Sequence, residues 1–185
     1  MNLPNRIAVG PFCDIGLNLC DGMFKGEYNG KKRHEDDSIA VLERARGMGV
    51  QKCILTAGTV EDSRITMDLV QSLRSPEKGA FDVVSTVGVH PTRCDEFKIL
   101  GDDAVIEELS GMIEKGVESR TVVAIGEAGL DYDRLHFCEK EVQMHGFIKQ
   151  IELANLYGLP MFLHNRNTGG DFVDVVRQHR SQIRC

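Results

Sequence analysis

The residues of this chain best suited to chemistry are polar side chains that follow short apolar runs. Four runs end in this way: Ile7–Val9 leads to Asp14 and Asn18, Val83–Val87 to His90, Val122–Ile125 to Glu127 and Asp131, and Met161–Leu163 to His164 and Arg166. If each run is a buried parallel strand, these side chains lie at the strands' carboxyl ends, which is the edge where ligands bind. Imidazoles and carboxylates that converge there predict a divalent-metal hydrolase site.

Glu127 carries the strongest signal. A carboxylate placed directly after four apolar residues and one glycine is costly unless it is paired or bound to a metal. Gly126 and Gly129 would let the backbone approach a ligand closely. The alternative is a glutamate at an exposed loop start. Asp131 is interpreted either as a carboxylate that supports a metal ligand or as the turn residue of the loop.

His164 ends the most hydrophobic run and precedes the polar segment 165–167. A lone histidine there is more often a hydrogen-bonded core residue, but the nearby Glu127 favours a ligand. His90, before Pro91, fits a ligand, a substrate contact or a structural role equally well. Oxygen donors from Asp14 and Asn18 would suit Mg²⁺ or Mn²⁺ better than zinc. The other histidines lie in polar loops or on helices and are not expected to take part in chemistry: His34, His136, His145 and His179.

Composition is that of an ordinary globular protein. The 185 residues are 42% hydrophobic and 27% charged, which suits one domain over residues 1–185. No stretch is long enough to span a bilayer, and the first residues have no apolar core typical of a secretory signal. The net charge of −6 argues against a global basic surface, although bound divalent ions could attract nucleic acid locally.

Two further features bear on location and partners. One dense basic cluster is either a solvated loop or a phosphate contact: Lys25, Lys31, Lys32, Arg33 and His34. The six cysteines show no metal-binding spacing, so free thiols in a reducing compartment, nucleus or cytoplasm, are predicted: Cys13, Cys20, Cys53, Cys94, Cys138 and Cys185. Oligomeric state is left open.

Apolar periodicity predicts five β-α units and no other element. Helices are expected near residues 38–48, 60–73, from 102, from 139 to about 157, and from 171, with strands before them, including Cys53–Thr56. This α/β alternation predicts a parallel sheet, either a complete doubly-wound sheet or the first five units of a (β/α)₈ barrel. Polar residues after strands 1, 3, 4 and 5 suit a ring. We therefore expect strands in sequence order, with Glu127 and His164 pointing to the same end.

Four segments together resemble the TatD family of metal-dependent deoxyribonucleases, particularly its eukaryotic branch. They are Asp14–Leu19, Gly88–Pro91, Ala124–Asp131 and Pro160–Arg166. The resemblance implies an amidohydrolase-type (β/α)₈ barrel that hydrolyses DNA phosphodiesters by two-metal catalysis, with Mg²⁺, or else Mn²⁺ or Zn²⁺. DNA is then the expected partner, without a membrane.

The resemblance also implies individual roles. Glu127 would bridge two metal ions, and His164 would bind one of them. Glu127, His90 and Asp131 are the expected catalytic residues, and Asn18, His90 and Arg166 are the expected substrate contacts. Gly16 and Asn18 stand where many relatives carry two histidines, which leaves Asp14 as a carboxylate that could support the site without binding metal.

The resemblance further implies ligands after strands 6 and 8 that this sequence does not contain, so a truncated nuclease with impaired activity and poor solubility is expected. The first alternative is an inactive isoform that acts as a binding or regulatory remnant by pairing through open sheet edges. Another alternative is an amidohydrolase-type metal hydrolase acting on a small cyclic amide, against which the missing strand-1 histidines count. DNA or RNA preference, cleavage mode and the physiological metal stay open.

Overall fold

The computed structural model describes residues 11–183, which form a parallel sheet curled like half of a barrel, with helices packed against it. Five strands follow one another in sequence order: β1 (Phe12–Leu17), β4 (Val50–Leu55), β5 (Val83–Val87), β6 (Val122–Asp131) and β7 (Met161–Arg166). All four neighbouring pairs are parallel. The predicted order is therefore confirmed, and a doubly-wound sheet is excluded because its order reverses once. The run Ile7–Val9 lies outside the described residues.

Six helices connect or follow these strands. They are α1 (Ser38–Gly47), α2 (Val60–Arg74), α3 (Asp95–Leu100), α4 (Asp102–Glu118), α5 (Lys140–Tyr157) and α6 (Asp171–Gln178). All five predicted helices are present at nearly the expected bounds. α3 was not predicted, because six residues are too few to show a helical period. Within residues 11–183, no helix combines the length and the apolar character needed to cross a membrane.

A small antiparallel hairpin, β2 (Glu27–Tyr28) and β3 (Lys31–Lys32), also contradicts the prediction of β-α units alone. Its turn residues Asn29 and Gly30 both have positive φ, at 49° and 70°. Asn-Gly is the preferred sequence for such a turn, so the signal was present in the sequence. The basic cluster therefore lies on an exposed hairpin and the loop beside it rather than in an irregular loop alone.

β6 is six residues longer than the apolar run that predicted it. The interpretation of the residues after Ile125 as a loop is therefore wrong. Residues 128–131 pair with residues 163–166 of β7. Gly126 and Gly129 have φ of 145° and 144°, and a Cβ at either would lie 2.2 Å or 1.9 Å from a β7 carbonyl oxygen. These glycines therefore allow close approach of two strands, whereas glycine in a sequence usually indicates a turn.

The core lies on both sides of the sheet centre. All five residues of β5 are buried, as expected for a central parallel strand. On α2 the buried residues include Met67, Val70 and Leu73, whereas Ile65 is 42% exposed. Cys53 is buried on β4, whereas Cys13 is exposed because β1 is an edge strand. The five cysteines within the described residues are free thiols, as predicted.

We predict that Gly129→Ala destabilises the protein by about 2–4 kcal/mol, because the new Cβ would overlap the His164 carbonyl and alanine disfavours this φ. Gly111→Ala is the control. Gly111 lies inside α4 with nothing within 4 Å of an added Cβ, so this change should stabilise by about 0.5–1 kcal/mol. Urea unfolding of both variants measures the difference. Equal stability of Gly129→Ala and the unsubstituted protein would contradict the strand contact.

Candidate metal site

Four of the predicted side chains meet at the carboxyl ends of β5, β6 and β7. His164 Nδ1 lies 2.9 Å from Glu127 Oε1, and His164 Nε2 lies 3.2 Å from Asp131 Oδ2. His90 Nε2 lies 3.3 Å from His164 Nδ1, with the two rings nearly perpendicular. The expectation that Glu127 and His164 point to the same end is confirmed.

Strand register explains this meeting. Residues two apart on a strand project from the same face, so Glu127, Gly129 and Asp131 share one face of β6. His164 of β7 pairs with Gly129, midway between the two carboxylates. Its imidazole therefore lies between Glu127 and Asp131 and can contact both, while Gly129 contributes no side chain that would obstruct it.

His90 reaches the group from the turn after β5. Its backbone N–H donates to the Gly58 carbonyl at 2.9 Å, and Pro91 begins a short 3₁₀ turn that fixes the next residues. The Thr92 backbone N–H donates to His90 Nδ1 at 3.2 Å, which leaves Nε2 facing His164. A histidine held through one ring nitrogen presents the other in a fixed direction, as metal-binding histidines do.

The charges of the group are set by mutual contact. The hydrogen bond that His164 Nδ1 donates to Glu127 Oε1 raises the pKa of His164 and lowers the pKa of Glu127. Burial, followed by repulsion from His164, lowers the pKa of His90 to about 4. His90 is therefore a neutral imidazole near pH 7, while the contacts of His164 with the two carboxylates favour its protonated form. A neutral imidazole is the form that binds metals.

Asp131 gives the strongest indication that this group binds a cation. Its side chain is fully buried, and Oδ2 accepts hydrogen bonds from Arg134 at 2.8 Å and from His164. Oδ1 is buried without a hydrogen-bond partner among the described residues. A buried carboxylate oxygen without a protein partner is rare, and a bound ion is one physical explanation of it.

The donor atoms fit a divalent ion. One ligand atom from each of His90, Asp131 and His164 lies within 4.8 Å of the others. Glu127 borders this group of three through its contact with His164. Two imidazoles and carboxylate oxygens are ligands that zinc, manganese and related ions accept. Asp131, interpreted from sequence as a supporting or turn residue, therefore lies within the group itself.

A polar cleft of about 460 Å³ opens beside this group and includes Asn18, His90 and Glu127 in its lining. Asn18 is held there, because its side-chain oxygen accepts a hydrogen bond from the Thr56 hydroxyl. The cleft lining also includes residues that sequence reasoning did not select: Thr56, Asp62, Thr92 and Arg93. Thr56 and Thr92 follow strand ends, a signal that was available. A larger groove of about 760 Å³ lies on the outer surface between α2 and α4, without a histidine.

Two predicted residues, Arg166 and Asp14, join neither the histidine–carboxylate group nor the lining of the cleft. Arg166 is exposed, and its Nε donates to Asp133 Oδ2 at 2.8 Å, which holds the guanidinium at the outer rim. Asp14 is exposed on β1 and accepts a hydrogen bond from the backbone N–H of Gly16 at 3.0 Å. Arg134, which sequence reasoning passed over, is the arginine that contacts the group, through Asp131.

The chain is similar to known proteins over most of its length. A family model described as TatD related DNase matches residues 17–184. Deoxyribonuclease Tat-D of Schizosaccharomyces pombe is 36% identical over 174 residues, covering 93% of this chain and 54% of that protein. The 3'-5' ssDNA/RNA exonuclease TatD of Erwinia amylovora is 31% identical over 164 residues, covering 89% of this chain and 54% of that protein.

Solved structures show the same fold. A hydrolase TatD family protein from Entamoeba histolytica superimposes with a TM-score of 0.83 at 36% identity, covering 93% of this chain and 55% of that one. An uncharacterized amidohydrolase from Saccharomyces cerevisiae gives a TM-score of 0.84 at 31% identity, covering 91% and 51%. The chain spans about half the length of the relatives it matches. With the family match, the sheet order and the histidine–carboxylate group in agreement, the chain belongs to the TatD family of deoxyribonuclease-related hydrolases.

Proposed function

We propose that this chain carries the metal-binding and substrate-binding residues of a divalent-metal-dependent nuclease that hydrolyses DNA phosphodiester bonds. The observation that carries the proposal is the fully buried Asp131, whose Oδ1 has no hydrogen-bond partner among the described residues. Its carboxylate belongs to one group with His90 and His164. A family of deoxyribonuclease-related hydrolases supplies the reaction class.

Each side chain has a distinct part in this proposal. His90, Asp131 and His164 would hold the cation, and His90 is suited to this because its lowered pKa keeps the imidazole neutral. Glu127 stays ionised because its contact with His164 lowers its pKa, so Oε1 can accept a proton or bind a cation. We propose Glu127 as the carboxylate shared between two ions, Mg²⁺ in the first instance, with Mn²⁺ or Zn²⁺ as the alternatives.

When bound, divalent cations would make water more acidic and offset the negative charge of the phosphate. The chain's own residues would position the substrate. Asn18 and Arg93 line the cleft beside Glu127 and offer an amide and a guanidinium to phosphate oxygens. This local supply of positive charge suits a protein with a net charge of −6. Arg166 would contact nucleic acid only at the rim, after release from Asp133.

The alternative of an inactive binding or regulatory remnant, and that of a small cyclic amide as substrate, receive less support. The four side chains of the group contact one another. A protein that no longer catalysed a reaction would not need these contacts. The relatives are described as acting on DNA or on single-stranded DNA and RNA, so both polynucleotides are substrates to test. The free thiols support an additional proposal, that the protein resides in the reducing nucleus or cytoplasm.

We expect Glu127→Ala to lower metal-dependent cleavage by at least about 100-fold, because the proposed shared carboxylate is lost together with the ionic contact that orients His164. Cleavage of labelled single- and double-stranded DNA, with RNA in parallel, in Mg²⁺ or Mn²⁺ gives the measurement. Glu118→Ala, at the exposed end of α4, is the matched control and should cleave like the unsubstituted protein. Unchanged Mg²⁺-dependent cleavage by Glu127→Ala would refute the role of this residue. If no metal condition gives cleavage by the unsubstituted protein, the remnant alternative gains support.

A second prediction tests the cation site without activity. Mn²⁺ at about 100 times its dissociation constant should stabilise the protein by about 2.7 kcal/mol, seen as a rise in Tm. Asp131→Asn should abolish this rise, because the variant lacks the buried anionic ligand. Asp102→Asn removes an exposed carboxylate that pairs with His145 and should leave the rise unchanged. An equal Mn²⁺-dependent rise in Asp131→Asn would remove Asp131 from the site.

A further inference from the structure

We propose that Gln143 and Gln150 of α5 are positioning residues whose buried amides hold the backbone from which Asp131 and His90 project. The inference rests on the proposed function, since it concerns the same cation site. It assigns a role to two side chains that are fully buried, have no charge and are not proposed to bind the metal.

Gln150 holds the residue immediately before His90. Its Oε1 accepts the backbone N–H of Val89 at 2.8 Å, and its Nε2 donates to the Val89 carbonyl at 2.9 Å. Nε2 also donates to the Gly146 carbonyl at 3.1 Å, one turn earlier on α5. A side-chain amide that bonds both the backbone N–H and the backbone carbonyl of one residue replaces the hydrogen bonds of a neighbouring strand.

Gln143 makes the same arrangement at Asp131. Its Oε1 accepts the Asp131 N–H at 2.7 Å, and its Nε2 donates to the Asp131 carbonyl at 3.0 Å. A second donation from Nε2 reaches the Cys138 carbonyl at 2.9 Å. The backbone of a proposed metal ligand is thus fixed from both sides, while its side chain stays free to contact His164 and Arg134.

Pairing between β5 and β6 does not supply these contacts, because it ends at Val87 with Ile125. Asp131 pairs with Arg166 of β7 on the other side of β6, while its own N–H and carbonyl bond to Gln143. Buried backbone groups without partners are destabilising, and the two glutamines provide the missing partners. Gly88 allows this, because a Cβ there would lie 2.7 Å from Gln150 Oε1.

The helix adds a fixed distance between the two contacts. Gln143 and Gln150 are seven positions apart on α5, which places them on one face about 10 Å apart along the axis. The helix is anchored near this face, since a Cβ at Gly146 would lie 2.6 Å from Cys94 Sγ. One rigid helix therefore sets where the Asp131 and His90 backbones lie relative to each other, a separation that metal binding depends on.

All six hydrogen bonds of the two amides go to backbone atoms, and none reaches His90, Asp131 or His164 side chains. The glutamines would therefore act through the backbone, and a loss of general stability has to be separated from a loss of ligand positioning. Substitution by methionine keeps the volume of glutamine but removes its hydrogen bonds.

Gln143→Met and Gln150→Met should bind Mn²⁺ about 10–100-fold more weakly, as found when groups that orient metal ligands are removed. Binding is measured by titrating Mn²⁺ alone and following the free ion by electron paramagnetic resonance. Leu73→Ala, in the buried cluster around α2 and β4, is the stability control, because it removes core volume far from the ligands. It should bind Mn²⁺ with the affinity of the unsubstituted protein at a temperature where all variants are folded. Equal affinity in the methionine variants would overturn the positioning role alone.

A measurement on the unsubstituted protein decides the matter if the methionine variants do not fold. Suppose that the hydrogen bonds of the two glutamines strengthen Mg²⁺ binding 10–100-fold. Thermodynamic reciprocity then requires that bound Mg²⁺ stabilises these hydrogen bonds by the same factor. Saturating Mg²⁺ should slow amide hydrogen exchange at Val89 and Asp131 by about that factor beyond any change at Leu73. Exchange at Val89 and Asp131 that changes no more than at Leu73 would overturn the inference. Failure of the unsubstituted protein to bind Mn²⁺ or Mg²⁺ would instead remove the cation site, and with it the proposed function.

Discussion

The close pairing of β6 with β7 is the contact on which the rest of the site depends. A Cβ at Gly126 or Gly129 would overlap a carbonyl of β7, so only glycine permits this approach. The resulting register sets His164 opposite Gly129, between Glu127 and Asp131. A slip of one residue would turn His164 to the opposite face of the sheet and separate the imidazole from both carboxylates. Backbone packing therefore determines which side chains can share an ion.

Charge balance is the second constraint on this region. Asp131 is fully buried, and a buried carboxylate is tolerated only when positive groups and donors surround it. Arg134 and His164 supply two such contacts to one oxygen, while the other oxygen has none among the described residues. The carboxylates favour a positive charge at this place, in line with the raised pKa of His164 and with the proposed cation site.

Helix α5 connects this chemistry to the core. Phe147 and Ile151 pack against Ala128 and Leu130 of β6, while the two buried glutamines of the same helix face the backbone near the ligands. Apolar packing holds the helix rigidly against the sheet. The glutamine amides of this helix then hold the backbone at two strand ends through hydrogen bonds. Stability and site geometry are therefore carried by the same 18-residue element.

The sequence by itself determined the five strands of the main sheet, their order and five of the six helices of the described residues, because apolar periodicity reports burial and short β-α connections favour sequential strands. It also selected Glu127, His90 and His164, since these side chains follow buried runs. Only the tertiary structure showed which side chains contact each of these residues. Asp131 was expected among the catalytic residues, but its local pattern left a supporting carboxylate and a turn residue equally open because glycines within a strand look like a loop. Arg166 was preferred to Arg134 because sequence does not show which arginine faces inward. Burial, register and hydrogen-bond partners depend on residues far apart in the chain, which is why local pattern determined the elements and tertiary packing decided the site.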